Sequence, residues 1–141
     1  MAPLFLFGTL MDQDVLSLVL QRPLAEELQT ARLAGFRRET ACDACYPLLV
    51  PACGATVEGR LFRGCSPGDI ARINHYEAGE YRAELHTVQL GDGSRRRAWL
   101  YMAREGCLMA SGQPWELERW QATEKADLLA ACPDWMRAFR P

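Results

Sequence analysis

Hydrophobic positions run unbroken from Leu4 to Phe7, leaving no polar face, which is the pattern of a strand covered on both sides. Gly8 ends the run and Thr9 follows, so the chain is expected to turn there and present backbone N–H groups that can hold a carboxylate or an oxyanion. A buried first strand with an ordinary turn fits the same residues. Beyond it, Asp12 or Asp14 can cap a helix running through Leu20, with Val15, Leu16, Val19 and Leu20 on one side and Pro23 ending it. Ala31 to Glu39 is a strand candidate. Tyr46 to Pro51 is extended but bounded by prolines, which suits an edge or a loop crossing a site rather than a central strand. Thr56 to Phe62 alternates as a strand with Val57, Gly59 and Leu61 on one face, and Gly59 marks a bulge, a bend or a close approach.

The best-defined helix starts at Ser66, an N-cap residue followed by Pro67 and by Asp69 in a capping-box relation. Ile70, Ile73 and Glu77 then fall on one helical face. A carboxylate in register with an apolar stripe needs an explanation. The alternating segment Tyr81 to Gln89, the turn Gly91-Asp92-Gly93-Ser94 and the return strand Arg95 to Met102 predict a hairpin. Arg95, Arg96 and Arg97 read as a solvated strand end. The tail carries short helices at Trp115–Trp120, Thr123–Ala131 and Trp135–Phe139, with Pro133 separating the last two and Trp115, Trp120 and Trp135 expected to seal the sheet. Strands around one capped helix, with helices added at the end, predict an α+β domain over residues 1–141 whose curved sheet partly encloses a pocket.

Charge narrows the function classes. The net charge is −2 with 24% charged residues, which leaves no electrostatic footprint for nucleic acid or an anionic membrane. No apolar run approaches the roughly 18 residues of a membrane helix, and Pro3 leading straight into Leu4 does not suit a signal peptide. A cytoplasmic protein is expected. Cys42 and Cys45 form a C-x-x-C, but Cys53 and Cys65 are spread too widely for an ordinary zinc ribbon and Pro47 discourages the helix a redox pair needs. Reduced thiols, some filling core, are the expected state. His75 and His86 read as surface or strand residues rather than a metal site.

Several of these segments together resemble the γ-glutamylcyclotransferase-like family, also called AIG2-like. Its opening apolar strand followed by Tyr-Gly-Thr-Leu or Tyr-Gly-Ser is similar to Leu4-Phe5-Leu6-Phe7-Gly8-Thr9-Leu10. Tyr46-Pro47-Leu48-Leu49-Val50-Pro51 resembles its Tyr-Pro loop, and Val57-Glu58-Gly59-Arg60-Leu61-Phe62 its Val-x-Gly-x-Leu-Tyr/Phe strand. The block Ile73-Asn74-His75-Tyr76-Glu77-Ala78-Gly79-Glu80-Tyr81-Arg82 matches Leu-Asp-x-x-Glu-Gly-x-x-Tyr-x-Arg in spacing, and Ala98-Trp99-Leu100-Tyr101 resembles the last strand. The agreement in order and interval covers about the first hundred residues.

This resemblance implies a small barrel-like mixed β-sheet enclosing a cavity, with flanking short helices. It implies Glu77 as the catalytic acid/base, and a reaction in which the γ-glutamyl part of a small amine or peptide closes to 5-oxoproline and releases the amine or amino acid. No metal, nucleotide or redox cofactor is implied. Phe7, Gly8, Thr9 and Leu10 are the expected substrate-binding turn, and Tyr46, Tyr81 and Tyr101 the expected cavity lining. The partner is then a small γ-glutamyl molecule, without nucleic acid or membrane, bound by a monomer or weak homodimer. Phe7 stands where the family commonly has Tyr, Asn74 where it has Asp, and Ala78 where it has Gly. A non-catalytic protein of the same fold, binding a small anionic metabolite, is the alternative; a zinc-stabilised domain around Cys42 and Cys45 is a weaker third. Glu77 separates the first two: an enzyme needs it buried and unpaired, a binding module could hold it in an ion pair with Arg82 or another cation.

Overall fold

Leu4, Phe5 and Leu6 are each exposed by 3% or less because β1 (Leu4–Leu6) has neighbours on both edges and cores on both faces. Leu4 and Leu6 point to a layer of helices, whereas Phe5 and Phe7 point to a second core built of strand residues, among them Leu33, Val57, Val88 and Leu100. The unbroken apolar run is the consequence, since alternate side chains enter different cores. The structure, a computed structural model, describes residues 3–24, 28–42, 44–77 and 79–140.

After β1 the chain makes a single 3-10 turn, Thr9–Met11, and enters α1 (Gln13–Leu20). Asp12 caps that helix, its Oδ1 accepting from the amides of Asp14 at 2.9 Å and Val15 at 3.1 Å. Then come β2 (Gln29–Ala41), β3 (Pro47–Phe62), α2 (Pro67–Glu77), β4 (Tyr81–Leu90), β5 (Arg95–Ala103), β6 (Ala110–Pro114), α3 (Leu117–Thr123) and α4 (Lys125–Arg137). The strand order is β3-β1-β5-β4-β2-β6, and β3 also pairs with β2. That extra pairing closes five strands into a barrel and leaves β6 outside it on β2. β1 and β5 run parallel, and the other pairs are antiparallel.

The glycine of β3 is explained by close approach. A Cβ on Gly59 would lie 2.4 Å from the Leu6 carbonyl oxygen and 2.6 Å from Cζ of Phe5. The capping box of α2 forms as read: Ser66 Oγ accepts from the Asp69 amide and Asp69 Oδ2 from the Ser66 amide, both at 3.0 Å. The hairpin turn also forms, with the Leu90 amide donating to the Ser94 carbonyl at 2.8 Å.

Three expectations need correction. The segments 46–51 and 56–62 are one strand, β3, which continues through Pro51 and through Gly54 at φ +83°. The edge expected for the first of them holds, since Pro47 to Pro51 pairs with β2 alone, while β1 joins β3 only at Arg60 to Phe62. Secondly, Pro133 does not separate two helices. It lies inside α4 at an exposed position, where its missing N–H removes one backbone bond, and the helix continues to Arg137. Thirdly, Trp115 and Trp120 are buried, but Trp135 is 53% exposed and does not seal the sheet.

Candidate active site

A cavity of about 540 Å³ opens between the barrel and the last helix, within the size range of small-molecule sites. Its floor is the start of the chain: Phe7, Gly8, Thr9 and Leu10 all line it. The amides of Gly8, Thr9 and Leu10 donate to no acceptor among the described residues, whereas the Met11 and Asp12 amides close the 3-10 turn onto the carbonyls of Gly8 and Thr9. Orientation of the first of these amides is set from behind. Arg38 Nη1 donates to the Phe7 carbonyl at 2.9 Å and to the Glu58 carbonyl at 2.9 Å, while its Nε donates to the Trp115 carbonyl at 3.1 Å. In a trans peptide the Gly8 N–H points opposite to the Phe7 carbonyl, away from Arg38. Burial lowers the Arg38 pKa from its ordinary value, partly offset by Glu58 and Glu116.

Glu77 stands on the same cavity wall, at the last residue of α2. One turn earlier Ile73 is fully buried, so the helical face that anchors α2 in the core also aims Glu77 inward. No hydrogen bond or ion pair engages its carboxylate among the described residues. Arg82, the cation that could have paired with it, binds Glu84 at 2.8 Å instead. Burial first, and the negative Glu80 second, push the Glu77 carboxyl up to about 8.

Around these two features stand four tyrosines. Tyr76 and Thr9 share a hydrogen bond of 2.9 Å between their hydroxyls. Tyr81 donates to the Pro47 carbonyl at 2.7 Å, Tyr46 to Glu80 Oε2 at 2.7 Å, and Tyr101 to Asn74 Oδ1. Burial raises all four phenols: Tyr46 to about 12, helped by Glu80, and Tyr76, Tyr81 and Tyr101 further. They are neutral hydroxyls at physiological pH. Tyr46, Tyr81 and Tyr101 spend their single proton on the protein, which leaves ring faces and lone pairs for a ligand.

The family described as gamma-glutamyl cyclotransferase, AIG2-like, matches residues 4–122. The chain belongs to that family. AIG2-like protein B of Arabidopsis thaliana is 22% identical over 138 residues, covering 97% of this chain and 79% of that protein. A solved Arabidopsis thaliana protein superposes with a TM-score of 0.66 at 22% identity over 99% of this chain and 93% of its own. A solved gamma-glutamyl cyclotransferase does so with a TM-score of 0.62 at 13% identity, over 99% of this chain and 88% of its own. At such identities the structural likeness is one of fold.

Within this AIG2-like chain, the eight residues expected in the site line one cavity: Glu77, Phe7, Gly8, Thr9, Leu10, Tyr46, Tyr81 and Tyr101. Asn74 keeps the acceptor its position needs, since its Oδ1 receives the Tyr101 proton. Phe7 is 6% exposed; its ring packs in the strand-built core and its carbonyl accepts from Arg38. Ala78 lies outside the described residues. Sequence reasoning missed Tyr76, Glu80, Trp120, Asp134 and Trp135, all of which reach the cavity. Tyr76 and Glu80 flank Glu77 in sequence, so proximity was the available signal; nothing local announces that α4 returns across the mouth. His75 packs edge-on against Phe139 and reaches the Trp135 carbonyl at 3.0 Å, and His86 bonds Glu84 at 3.1 Å. Neither lines the cavity.

Proposed function

We propose that this chain is a γ-glutamylcyclotransferase that closes the γ-glutamyl part of a small donor to 5-oxoproline, with Glu77 as general acid and base. The observation that carries this reading is an unpaired carboxylate, pushed up to about 8, in the same cavity as three amides without an acceptor. A glutamate at its ordinary value of about 4.3 is a poor base for an ammonium group, and the raised value brings it close to that task.

The donor's α-carboxylate sits on the turn amides and its α-ammonium faces Glu77. Glu77 takes one proton from the ammonium. The freed nitrogen attacks the γ-carbonyl carbon of the same molecule, and the negative charge that develops on the carbonyl oxygen is held by N–H groups of the Phe7–Leu10 turn. The bond from that carbon to the leaving nitrogen breaks as Glu77 returns that proton to it, and the second proton of the ring nitrogen follows through Glu77, so that the amine departs as an ammonium ion. Products are 5-oxoproline and a free amine; no water is consumed. Because nucleophile and carbonyl belong to one chain, holding that chain folded supplies much of the acceleration. The tyrosine-lined wall excludes solvent from the exchange, and the reaction calls only on the protein's own groups.

Release of 5-oxoproline from a panel of γ-glutamyl amines and peptides tests the proposal. Turnover of at least one donor, with an acid limb in kcat/KM that follows the ionisation of Glu77 near pH 8, is the expected result. Specific binding of γ-glutamyl compounds without turnover of any would make the protein a ligand-binding member of the family instead.

A further inference from the structure

Exposed arginines on two of the strands are neutralised by glutamates. Arg32 and Arg37 of β2 pair with Glu58 and Glu39, and Arg82 of β4 pairs with Glu84. The exposed arginines of β5 differ: among the described residues Arg95, Arg96 and Arg97 form no ion pair. Alternation along the strand divides them. Arg96 shares the barrel-core side with Ala98 and Leu100, whereas Arg95 and Arg97 share the outward side with Trp99, which is 37% exposed. Their cross-strand neighbours on β4 are Gln89, Thr87 and Leu85, none of them acidic. Asp92, at the hairpin tip, is held by the amide and hydroxyl of Ser94. Leu4, paired beside Trp99, is buried on the helix side. Helical cover therefore ends between these two side chains and leaves the outward side of β5 bare from Trp99 to Arg95, a stripe about 13 Å long.

We infer that this stripe docks a short acidic segment of a partner protein, extended along β5 with two carboxylates on Arg95 and Arg97 and an apolar side chain on the Trp99 ring. An extended segment sends side chains to one side at the same two-residue interval as the stripe, so the match in spacing follows from the backbone. Guanidinium groups without a partner suit carboxylates, with which they form two-pronged bonds. The indole adds contact area that charge alone lacks. Three unopposed arginines on one short strand of a protein with net charge −2 make a local field rather than a general one. At physiological salt a ligand senses charges within about 8 Å. A short acidic segment therefore meets chiefly the arginines, while a long polyanion such as RNA runs out over an acidic surface. The inference is independent of the cyclotransferase reading, because Arg95, Arg97 and Trp99 line no part of the cavity.

Peptide titrations of the full chain, followed by amide NMR spectra, test the inference. The probes are three short capped peptides in which two alternate glutamates, glutamines or lysines precede a leucine, with serine between them. The glutamate peptide is expected to bind roughly tenfold tighter than the glutamine one, as two exposed charge pairs allow, with the lysine peptide weakest. Shifts should centre on the amides of Arg95 to Trp99 and on the Trp99 indole N–H, and high salt should narrow the difference between peptides. Arg95→Thr with Arg97→Thr should abolish the glutamate preference, and Arg95→Lys with Arg97→Lys should keep much of it. Trp99→Thr should weaken all three peptides alike; the same spectra report whether each variant is folded. Equal binding of the glutamate and glutamine peptides, a preference that survives the threonine double variant, or shifts centred elsewhere would overturn the inference. Shifts at the stripe with a single-stranded oligonucleotide or phosphatidylserine vesicles, at concentrations where the glutamate peptide causes none, would replace the acidic segment by another polyanion or a membrane and overturn it as well.

Discussion

Arg38 and Phe7, 31 residues apart in the chain, are joined by a 2.9 Å hydrogen bond from the guanidinium to the carbonyl that precedes the binding turn. The same guanidinium holds the Glu58 and Trp115 carbonyls and stacks 5.3 Å from the Trp115 ring centroid. Arg38 therefore positions the floor of the site without lining it. Lysine cannot reproduce a planar fork that reaches three acceptors. Arg38→Lys is expected to cost about 2 kcal/mol of stability and to raise KM severalfold more than it lowers kcat, because the Gly8 amide loses its fixed direction. Urea unfolding and steady-state kinetics measure the two effects separately.

The Thr9–Tyr76 bond of 2.9 Å ties that floor to the helix carrying Glu77. Deleting either hydroxyl frees the other within a partly buried setting. Tyr76→Phe and Thr9→Val should each cost about 1 kcal/mol, and the double variant should cost less than their sum, since both remove one interaction. A double-mutant cycle by chemical unfolding measures the coupling; turnover should fall in all three variants with their folds intact.

Glu77 ought to weigh on stability. Its folded-state value, about 8, lies above the ordinary one of 4.5, so the folded protein favours the protonated form. The penalty is absent below about pH 4.3, grows as pH rises towards 8 and is constant above it. Glu77→Gln is therefore expected to match the wild type near pH 4 and to be more stable by on the order of 3 kcal/mol at pH 8. Thermal melts of both proteins across this range measure the difference.

Much of this site was legible because its signals are local. The run Leu4 to Phe7 reports two cores at once, the Ser66–Asp69 box fixes where α2 begins, and the spacing of Ile73 and Glu77 places a carboxylate on the inward face. Family spacing then joined segments that periodicity alone leaves separate. The rest depends on long-range packing. β3 passes Pro51 because its second neighbour is absent there, a fact of sheet closure. α4 runs through Pro133 to Arg137, a continuation that the proline itself argues against. Arg38 sits in an ordinary alternating strand, and only the folded barrel brings it behind Phe7. Trp135 resembles a core residue by composition yet forms the mouth.

Gly59 offers a further check on the scaffold. A methyl group there would lie 2.4 Å from the Leu6 carbonyl and press on the Phe5 ring, and both belong to the strand that leads into the binding turn. Gly59→Ala is expected to cost roughly 2–3 kcal/mol, with activity falling alongside stability. Differential scanning calorimetry with parallel turnover assays records both.

The most direct measurement of the central claim is 5-oxoproline release by wild type and Glu77→Gln, side by side on the best donor, with both shown to be folded. A loss of about a hundredfold or more in kcat, with the donor still bound by the variant, is the result expected if Glu77 moves the protons. Equal turnover by a well-folded Glu77→Gln protein would contradict it and send the search for the acid/base to another group on the cavity wall.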